Sequence, residues 1–365
     1  MTKSEAIEKA KIIKALIGIA EVSIILNTFI KTFQEKAIIK GNGRSYLHGN
    51  FNITGTVSGR MSSSGPNLQN LPSTGSRYAK AIKECFQAPE GWLMVGADFS
   101  SLEDKISALT TRDPQKLRVY TDGYDGHSLR AFSYFGDQMP DIQNTVESIN
   151  SISSKYPSLR QDSKGPTFCL TYGGTKHALI GQCGLSESAA DAIEKAYHDL
   201  YSHSDEYVKK RLEQAARDGY VEVAFGLRVR TPILRQILLG KRSTPYAGQA
   251  EGRTAGNAMG QSYGLLNNRA SNEFMQRVWD SKYRLDVLPI CQIHDSSYYL
   301  VRNQVSIVKW VNDNLIECMQ WQELPEIEHN EVKLGGSLEV FEGSWAHPHE
   351  LPNNASKKEI LDICS

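Results

Sequence analysis

A helical stretch from roughly 128 to 218, broken near Pro140, Pro157 and Gly173, divides the strand-forming parts of this chain into two distant groups. Before it lies a short apolar run, Trp92 to Ala97, that ends on Asp98 and leads into a helical pattern from Leu102 to Leu109. After it come a hairpin over 219–232 turning near Phe225-Gly226, a helix over about 249–279, and two β-rich runs, Val287 to His294 and Ser297 to Val301. The last two runs meet at His294-Asp295-Ser296, a tight turn with Asp295 at its tip. Any fold of this chain carries strands on both flanks of a large helical insertion.

Near the start, Ile12, Leu16, Ile19 and Phe29 recur at helical spacing. The most apolar part, Ala15 to Leu26, contains Glu21 and falls short of the ~20 apolar residues a membrane span needs. The first fourteen positions carry too many charges for a signal peptide, so the expectation is a packed helix in a cytosolic protein. Residues 41–76 are rich in Gly, Ser, Asn and Thr and read as a surface loop or a linker, although Arg60, Gln69 and the interspersed apolar residues weigh against a pure linker. With 365 residues, 40% apolar and 22% charged, the chain is an ordinary globular protein of two or three packed substructures. Lys plus Arg equals Asp plus Glu, 41 against 41, so composition supplies no basic signature for nucleic acid, and only segregated charge would provide one. The six cysteines are scattered without a Cys-x-x-Cys pair, which argues against a structural zinc site and a disulfide framework.

Three patterns carry chemistry. Asp98, at a strand end ahead of a helix, suits either an active site or a helix N-cap. Arg160, Lys164, Phe168 and Tyr172 recur every four residues, each step advancing about 40° around a helix, and so form one spiralling stripe. Two cations followed by two aromatics suit a nucleoside triphosphate; a solvated face grading into an apolar one has the same spacing. Arg253, Asn257 and Gln261 form a second stripe, suited to the minor-groove acceptors common to every base pair, or to plain solvent exposure.

Together these residues resemble the polymerase portion of family A DNA polymerases, the bacterial DNA polymerase I group and its phage relatives. The resemblance runs from about Gly43 to Gly343 with the motifs in family order. Asp98-Phe99-Ser100-Ser101-Leu102-Glu103 resembles the first carboxylate motif, Arg160 to Tyr172 the nucleotide-binding fingers helix, and Gln292-Ile293-His294-Asp295 the second carboxylate motif. Thr56 to Arg60, continuing through Gln69 to Pro72, resembles the stretch that contacts primer–template, and His127 and the Arg253/Asn257/Gln261 stripe also have counterparts.

The resemblance implies an α+β, right-hand polymerase fold with an antiparallel-sheet palm, helical fingers and a truncated thumb. Its parts would be a residual thumb helix over 1–45, palm over 46–120 and 241–365, and fingers over 121–240. It implies DNA synthesis on a primer–template from dNTPs by two-metal phosphoryl transfer. Two Mg²⁺ ions, which Mn²⁺ would replace, are held by Asp98, Asp295 and the main-chain carbonyl of Phe99. Arg160, Lys164 and His127 hold the triphosphate, and Lys164 also protonates the departing pyrophosphate. Glu103 crowds the sugar 2′ position, Phe168 sits beside the 3′ position and predicts rejection of dideoxynucleotides, and Tyr172 stacks near the template base. Arg60, Gln69, Arg253, Asn257, Gln261 and His294 contact DNA.

Three departures qualify the resemblance. Ser296 stands where the family usually has an acid. Gly165-Pro166 predicts a kink between Asp162 and Pro166. The short N-terminal part implies that most of the thumb, and a proofreading exonuclease, lie on a separate polypeptide or are replaced by a processivity factor. A cytoplasmic location is expected, the host's if the chain is phage-encoded. Two rivals share the site: a single-subunit RNA polymerase, against which Glu103 argues, and a non-catalytic DNA-binding subunit, against which the two aspartates argue.

Overall fold

The computed structural model describes residues 3–40, 43–53, 55–72, 75–237 and 245–364. Its centre is a five-stranded sheet: β1 (Trp92–Phe99), β2 (Val287–Ile293), β3 (Ser296–Arg302), β4 (Gly336–Phe341) and β5 (Pro348–Leu351). The order is β5-β4-β1-β3-β2 and every pairing is antiparallel. The strand contributed before the helical insertion is therefore central, flanked on both sides by strands that come after it in the chain. It reads as an almost continuous apolar run because both of its faces are covered. Val95, Ala97 and Phe99 enter the main core with Ile106, Phe274, Val308 and Leu338, while Met94 meets Phe341 and Trp345 on the opposite face. Gly96 is required by that second face, since a Cβ there would fall 2.6 Å from the ring of Tyr298.

The helices that frame the sheet and the site are α1 (Lys3–Ile24), α2 (Leu102–Thr111), α3 (Gly126–Phe135), α4 (Pro157–Asp162), α5 (Lys164–Thr171), α6 (Glu187–Leu200), α7 (Ser202–Asp218), α8 (Tyr246–Gln261), α9 (Leu265–Asp280) and α10 (Val305–Met319). Helices α9 and α10 pack on one face of the sheet. The insertion, α3 to α7, builds separate small cores, one around Leu129, Met139, Ile149 and Ile152, the other around Leu170, Leu179, Ile193 and Tyr197. The breaks expected near Pro140, Pro157 and Gly173 are present, and Gly184, in the left-handed region at φ 68°, adds another. The hairpin over 219–232 forms from Tyr220–Glu222 and Arg228–Arg230. The helix expected over 249–279 is instead α8 and α9, separated by a 3-10 turn at Ser262–Gly264. Gly264 has a packing reason, because a Cβ there would lie 2.7 Å from Nε of Arg60.

The N-terminal segment departs from expectation. It is helical, running from α1 through a π turn at Ile25–Ile30 into Lys31–Lys36, but it is not packed. Ile12, Leu16 and Ile19 are 55–62% exposed, and only its C-terminal end is docked, through Phe29, Phe33, Phe86 and Trp345 in successive edge-to-face contacts. The isoleucines are spread around the helix instead of forming one stripe, so no single neighbour covers them. By length and composition, Glu5–Lys36 is long and apolar enough to cross a membrane.

Candidate active site

Asp98 and Asp295 are brought together by strand register. Asp98 pairs across the β1–β3 ladder with Ser296, the residue after Asp295. The turn holding Asp295 requires His294 at φ 54°, a left-handed conformation uncommon for a non-glycine residue. Buried Asn267 of α9 supports it: its amide donates to the carbonyls of His294 (3.3 Å) and Ser296 (3.1 Å), and its oxygen accepts from Ser297 Oγ (2.7 Å). The Phe99 N–H donates to the Asp295 carbonyl at 3.4 Å, and Ser296 Oγ donates to Asp98 Oδ1 at 2.7 Å. On the other side β4 presses in so closely that a Cβ on Gly336 would lie 2.2 Å from the Asp98 carbonyl oxygen. Asp98 does not cap α2, because Ser101 occupies the capping position.

Burial raises the Asp98 carboxyl, the Ser296 hydrogen bond opposes it, Asp295 and Glu339 add to the rise, and the balance is about 6. Asp98 nevertheless has an open outer face, so this effect belongs to the protein atoms crowding its base and is softened by solvent. Burial raises Asp295 as well, against the opposing charge of Arg60. Two hard oxygen ligands that disfavour each other's ionisation fit a divalent cation, which relieves that repulsion.

Glu103, in the first turn of α2, joins this pair to the helical insertion. Arg60 Nη2 donates to Glu103 Oε1 at 2.6 Å, and the Tyr172 hydroxyl donates to Oε2. Tyr172 ends α5, its ring 4.8 Å from that of Phe168, which is 68% exposed. Gln69 Nε2 donates to the Gln292 carbonyl at 3.1 Å, tying the 41–76 segment to β2.

The cationic residues gather on the insertion. Arg160 grips Asp125 through Nε (2.6 Å) and Nη2 (3.0 Å), and Asp125 also caps α3 at Ser128. Burial would raise Asp125, yet these hydrogen bonds hold it down to about 2. His127 is pushed below its ordinary range by burial, then by Arg130, Lys164 and Arg160, and its buried Nδ1 has no hydrogen-bond partner among the described residues. The expected kink is a break at Ser163, which separates Arg160 on α4 from Lys164 and Phe168 on α5. Ser163 keeps right-handed helical dihedrals (φ −69°, ψ −23°), so the stripe continues across the break.

Arg253, Asn257 and Gln261 lie along α8. Arg253 packs beside Gly173, where a Cβ would be 3.3 Å from its Cγ, so this stripe begins next to Tyr172 and ends beside the turn on which Arg60 rests. The side chains of Asn257 and Gln261 make no hydrogen bonds among the described residues. Sequence reasoning missed Asn267, Asp125 and the pair Asp104–Arg130, in which the arginine is buried and the aspartate half-buried. Asn267 did leave a signal, since it interrupts the apolar face of α9 between Leu266 and Ala270.

Comparison with known proteins agrees with this geometry. Residues 2–341 match the model of DNA polymerase family A. The chain is 31% identical over 231 residues to thermostable DNA polymerase I of Thermus aquaticus, covering 63% of this chain and 26% of that protein. It is 28% identical over 265 residues to DNA polymerase I of Pseudomonas aeruginosa, covering 71% and 26% respectively. The chain thus spans about a quarter of the length of these relatives. Its fold matches the polymerase domain of Pol1 from M. smegmatis, solved with DNA primer–template and dNTP, at a TM-score of 0.72 and 24% identity, over 90% of this chain and 52% of that one. With nearly the whole sequence matched and the sheet, its two aspartates and the helical insertion in one arrangement, this chain belongs to DNA polymerase family A.

Proposed function

We propose that the chain adds deoxynucleoside monophosphates from dNTPs to a primer 3′-hydroxyl, directed by a template, and releases pyrophosphate. The observation that carries this reading is the placement of Asp98 beside the Asp295 turn, joined through Glu103 and Tyr172 to a helix bearing Lys164 and Phe168. Phosphoryl transfer asks a protein mainly for positioning and charge neutralisation, and these two flanks supply both. Asp98, Asp295 and the main-chain carbonyl of Phe99 would hold two Mg²⁺ ions, or Mn²⁺ in their place. When bound, those ions stabilise the attacking and leaving oxygens.

Arg160, Lys164 and His127 would hold the triphosphate, and Lys164 would give a proton to the leaving pyrophosphate. Glu103, fixed between Arg60 and Tyr172, would fill the space a ribose 2′-hydroxyl needs. Phe168 and Tyr172 offer ring faces to sugar and base. Arg60, Gln69, Arg253, Asn257, Gln261 and His294 would line the duplex side.

In this reading the sheet and its covering helices are the palm, over 46–120 and 241–365, and the insertion is the fingers, over 121–240; the boundary at 240 lies outside the described residues. The segment over 1–45 would be the thumb helix. Its uncovered apolar surface supports a separate polypeptide partner, and a cytoplasmic location is part of the same reading.

The test is primer extension by the purified chain on a labelled primer–template with Mg²⁺, comparing deoxy- with ribonucleotides, and with Asp98→Ala and Asp295→Ala as controls. Extension with deoxynucleotides alone, lost in both variants, is the expected result. Equal extension with ribonucleotides would replace the reading with RNA synthesis, and extension that survives either substitution would overturn the two-metal assignment.

A further inference from the structure

A second ionic cluster is built from residues to which no metal, nucleotide or DNA role is assigned. Arg130 of α3, only 8% exposed at its side chain, donates from Nη2 to Asp104 Oδ1 at 2.7 Å and from Nε to the hydroxyl of fully buried Tyr201 at 2.9 Å. The Tyr120 hydroxyl donates to the other Asp104 oxygen at 3.1 Å. Buried Lys116 stands 4.8 Å from the Tyr201 ring and donates to Ser107 Oγ at 2.7 Å. Asp113 accepts from the N–H and hydroxyl of Ser204, both at 3.0 Å. Two acids and two cations balance, and the hydrogen bonds hold the cluster in one arrangement.

Its members sit at instructive places. Asp104 directly follows Glu103 on α2, about 100° further around the helix, so one turn presents Glu103 to the site and Asp104 to the cluster. Arg130 lies three residues after His127 on α3, and α3 packs on α4, which carries Arg160. Tyr201 joins α6 to α7, and α7 packs back on α2. A paired interior charge is poor evidence for stability, because well-packed apolar residues of similar volume often serve as well or better. What a guanidinium held by Asp104 on one nitrogen and Tyr201 on another supplies instead is a fixed separation and orientation.

We infer that the Asp104–Arg130 pair is a positioning device that sets the spacing between the carboxylate flank (Asp98, Asp295, Glu103) and the triphosphate flank (His127, Arg160, Lys164). The inference rests on the polymerase reading. A shift of α3 against α2 displaces the phosphate-holding cations relative to the carboxylates, and misplacement by about 1 Å costs up to about 100-fold in a reaction governed by positioning.

The test replaces both partners at once, Asp104→Leu with Arg130→Met, which removes the bridge together with one charge of each sign and leaves buried Lys116 with Asp113. Three quantities are measured on the full chain: melting temperature, primer–template affinity, and the KM and kcat for dNTP, with equilibrium dNTP binding as a readout independent of turnover. The expected result is an unchanged or higher melting temperature, unchanged DNA affinity, and about 10-fold weaker dNTP binding and higher KM with a smaller change in kcat. A stably folded double variant with wild-type dNTP binding and KM overturns the inference.

Should the double variant not fold, Arg130→Lys decides. It keeps the charge but loses the fork, and wild-type KM in that protein overturns the inference, whereas a raised KM supports it. If the wild-type chain binds dNTP but extends no primer, the polymerase reading falls, and the positioning role is still judged by the ratio of binding constants. If the wild-type chain binds no dNTP, both fall.

Discussion

The hydroxyl of Ser296, directly after Asp295, donates to Asp98. One donated hydrogen bond orients a carboxylate and partly offsets the burial that raises it. Ser296→Ala should therefore leave the fold intact and raise the Mg²⁺ concentration for half-maximal synthesis by about threefold to tenfold, read from a metal titration of primer extension. An unchanged titration would show that Asp98 is held by its strand alone. Glu103 makes a different prediction, because the role proposed for it is to occupy space. With Arg60 and Tyr172 pinning both oxygens, Glu103→Ala opens the pocket wall and frees the tyrosine. Ribonucleotide incorporation should rise by about 100-fold relative to deoxynucleotide, measured by competition on one template, and unaltered selectivity would place the 2′ barrier elsewhere. That Asp98 and Asp295 each follow a strand-like run was legible in the sequence, whereas their pairing as metal ligands came only as an implication of the family resemblance. Asn267, which props the Asp295 turn, left only a polar interruption of an apolar face as its signal, and its partners are two carbonyls that only the folded β2–β3 hairpin presents to it.

The recurrence of Arg160, Lys164, Phe168 and Tyr172 predicted one helix with one face, and the chain delivers that face on two helices. Pro166 costs little here because the break falls at Ser163, which places the proline in the first turn of α5, where its missing donor removes at most one helix bond. The sequence could not show that Arg160 would be tied to Asp125 thirty-five residues earlier, since that contact depends on how α4 packs on α3. The clamp has a pH signature. Asp125 is held at about 2, below its ordinary 3.8, so the pair's contribution to stability is full above pH ~4 and is lost as pH falls through about 2. With both partners about a quarter exposed, that contribution is on the order of 1–2 kcal/mol. The stability difference between wild type and Asp125→Asn should thus be constant from pH 7 to about 4 and vanish toward pH 2 in denaturant melts. A difference that persists undiminished at pH 2 would mean that Asp125 acts through packing, with no electrostatic share.

At the scale of the molecule, the sequence announced strands on both flanks of an insertion but not the order β5-β4-β1-β3-β2, because pairing across some two hundred residues is set by which faces the helices cover and not by local pattern. The same limit explains the error over the N-terminal helix. Apolar residues at helical spacing predicted a helix correctly; that they would be covered was an inference about neighbours, and the segment docks only at its C-terminal end, where Phe29 is buried and Phe33 meets Phe86. Ile12, Ile13, Leu16, Ile17 and Ile19 together expose apolar surface of the kind that marks association sites. Residues that contribute nothing to the packed core can be made polar without loss of stability, whereas residues that seat another molecule cannot be changed without loss of that contact. The triple variant Ile12→Gln, Leu16→Gln, Ile19→Gln should therefore keep the melting temperature of the wild type within about 2 °C, since large shifts come only from damage to a buried core. It should also reduce the concentration-dependent self-association of the isolated chain in sedimentation velocity. A fall of several degrees in melting temperature would show that α1 folds back onto the protein in solution, and unchanged self-association would place the adhesive surface elsewhere, with exposed Trp279, Leu285, Leu288 and Ile290 beside the β2 edge as the next surface to change.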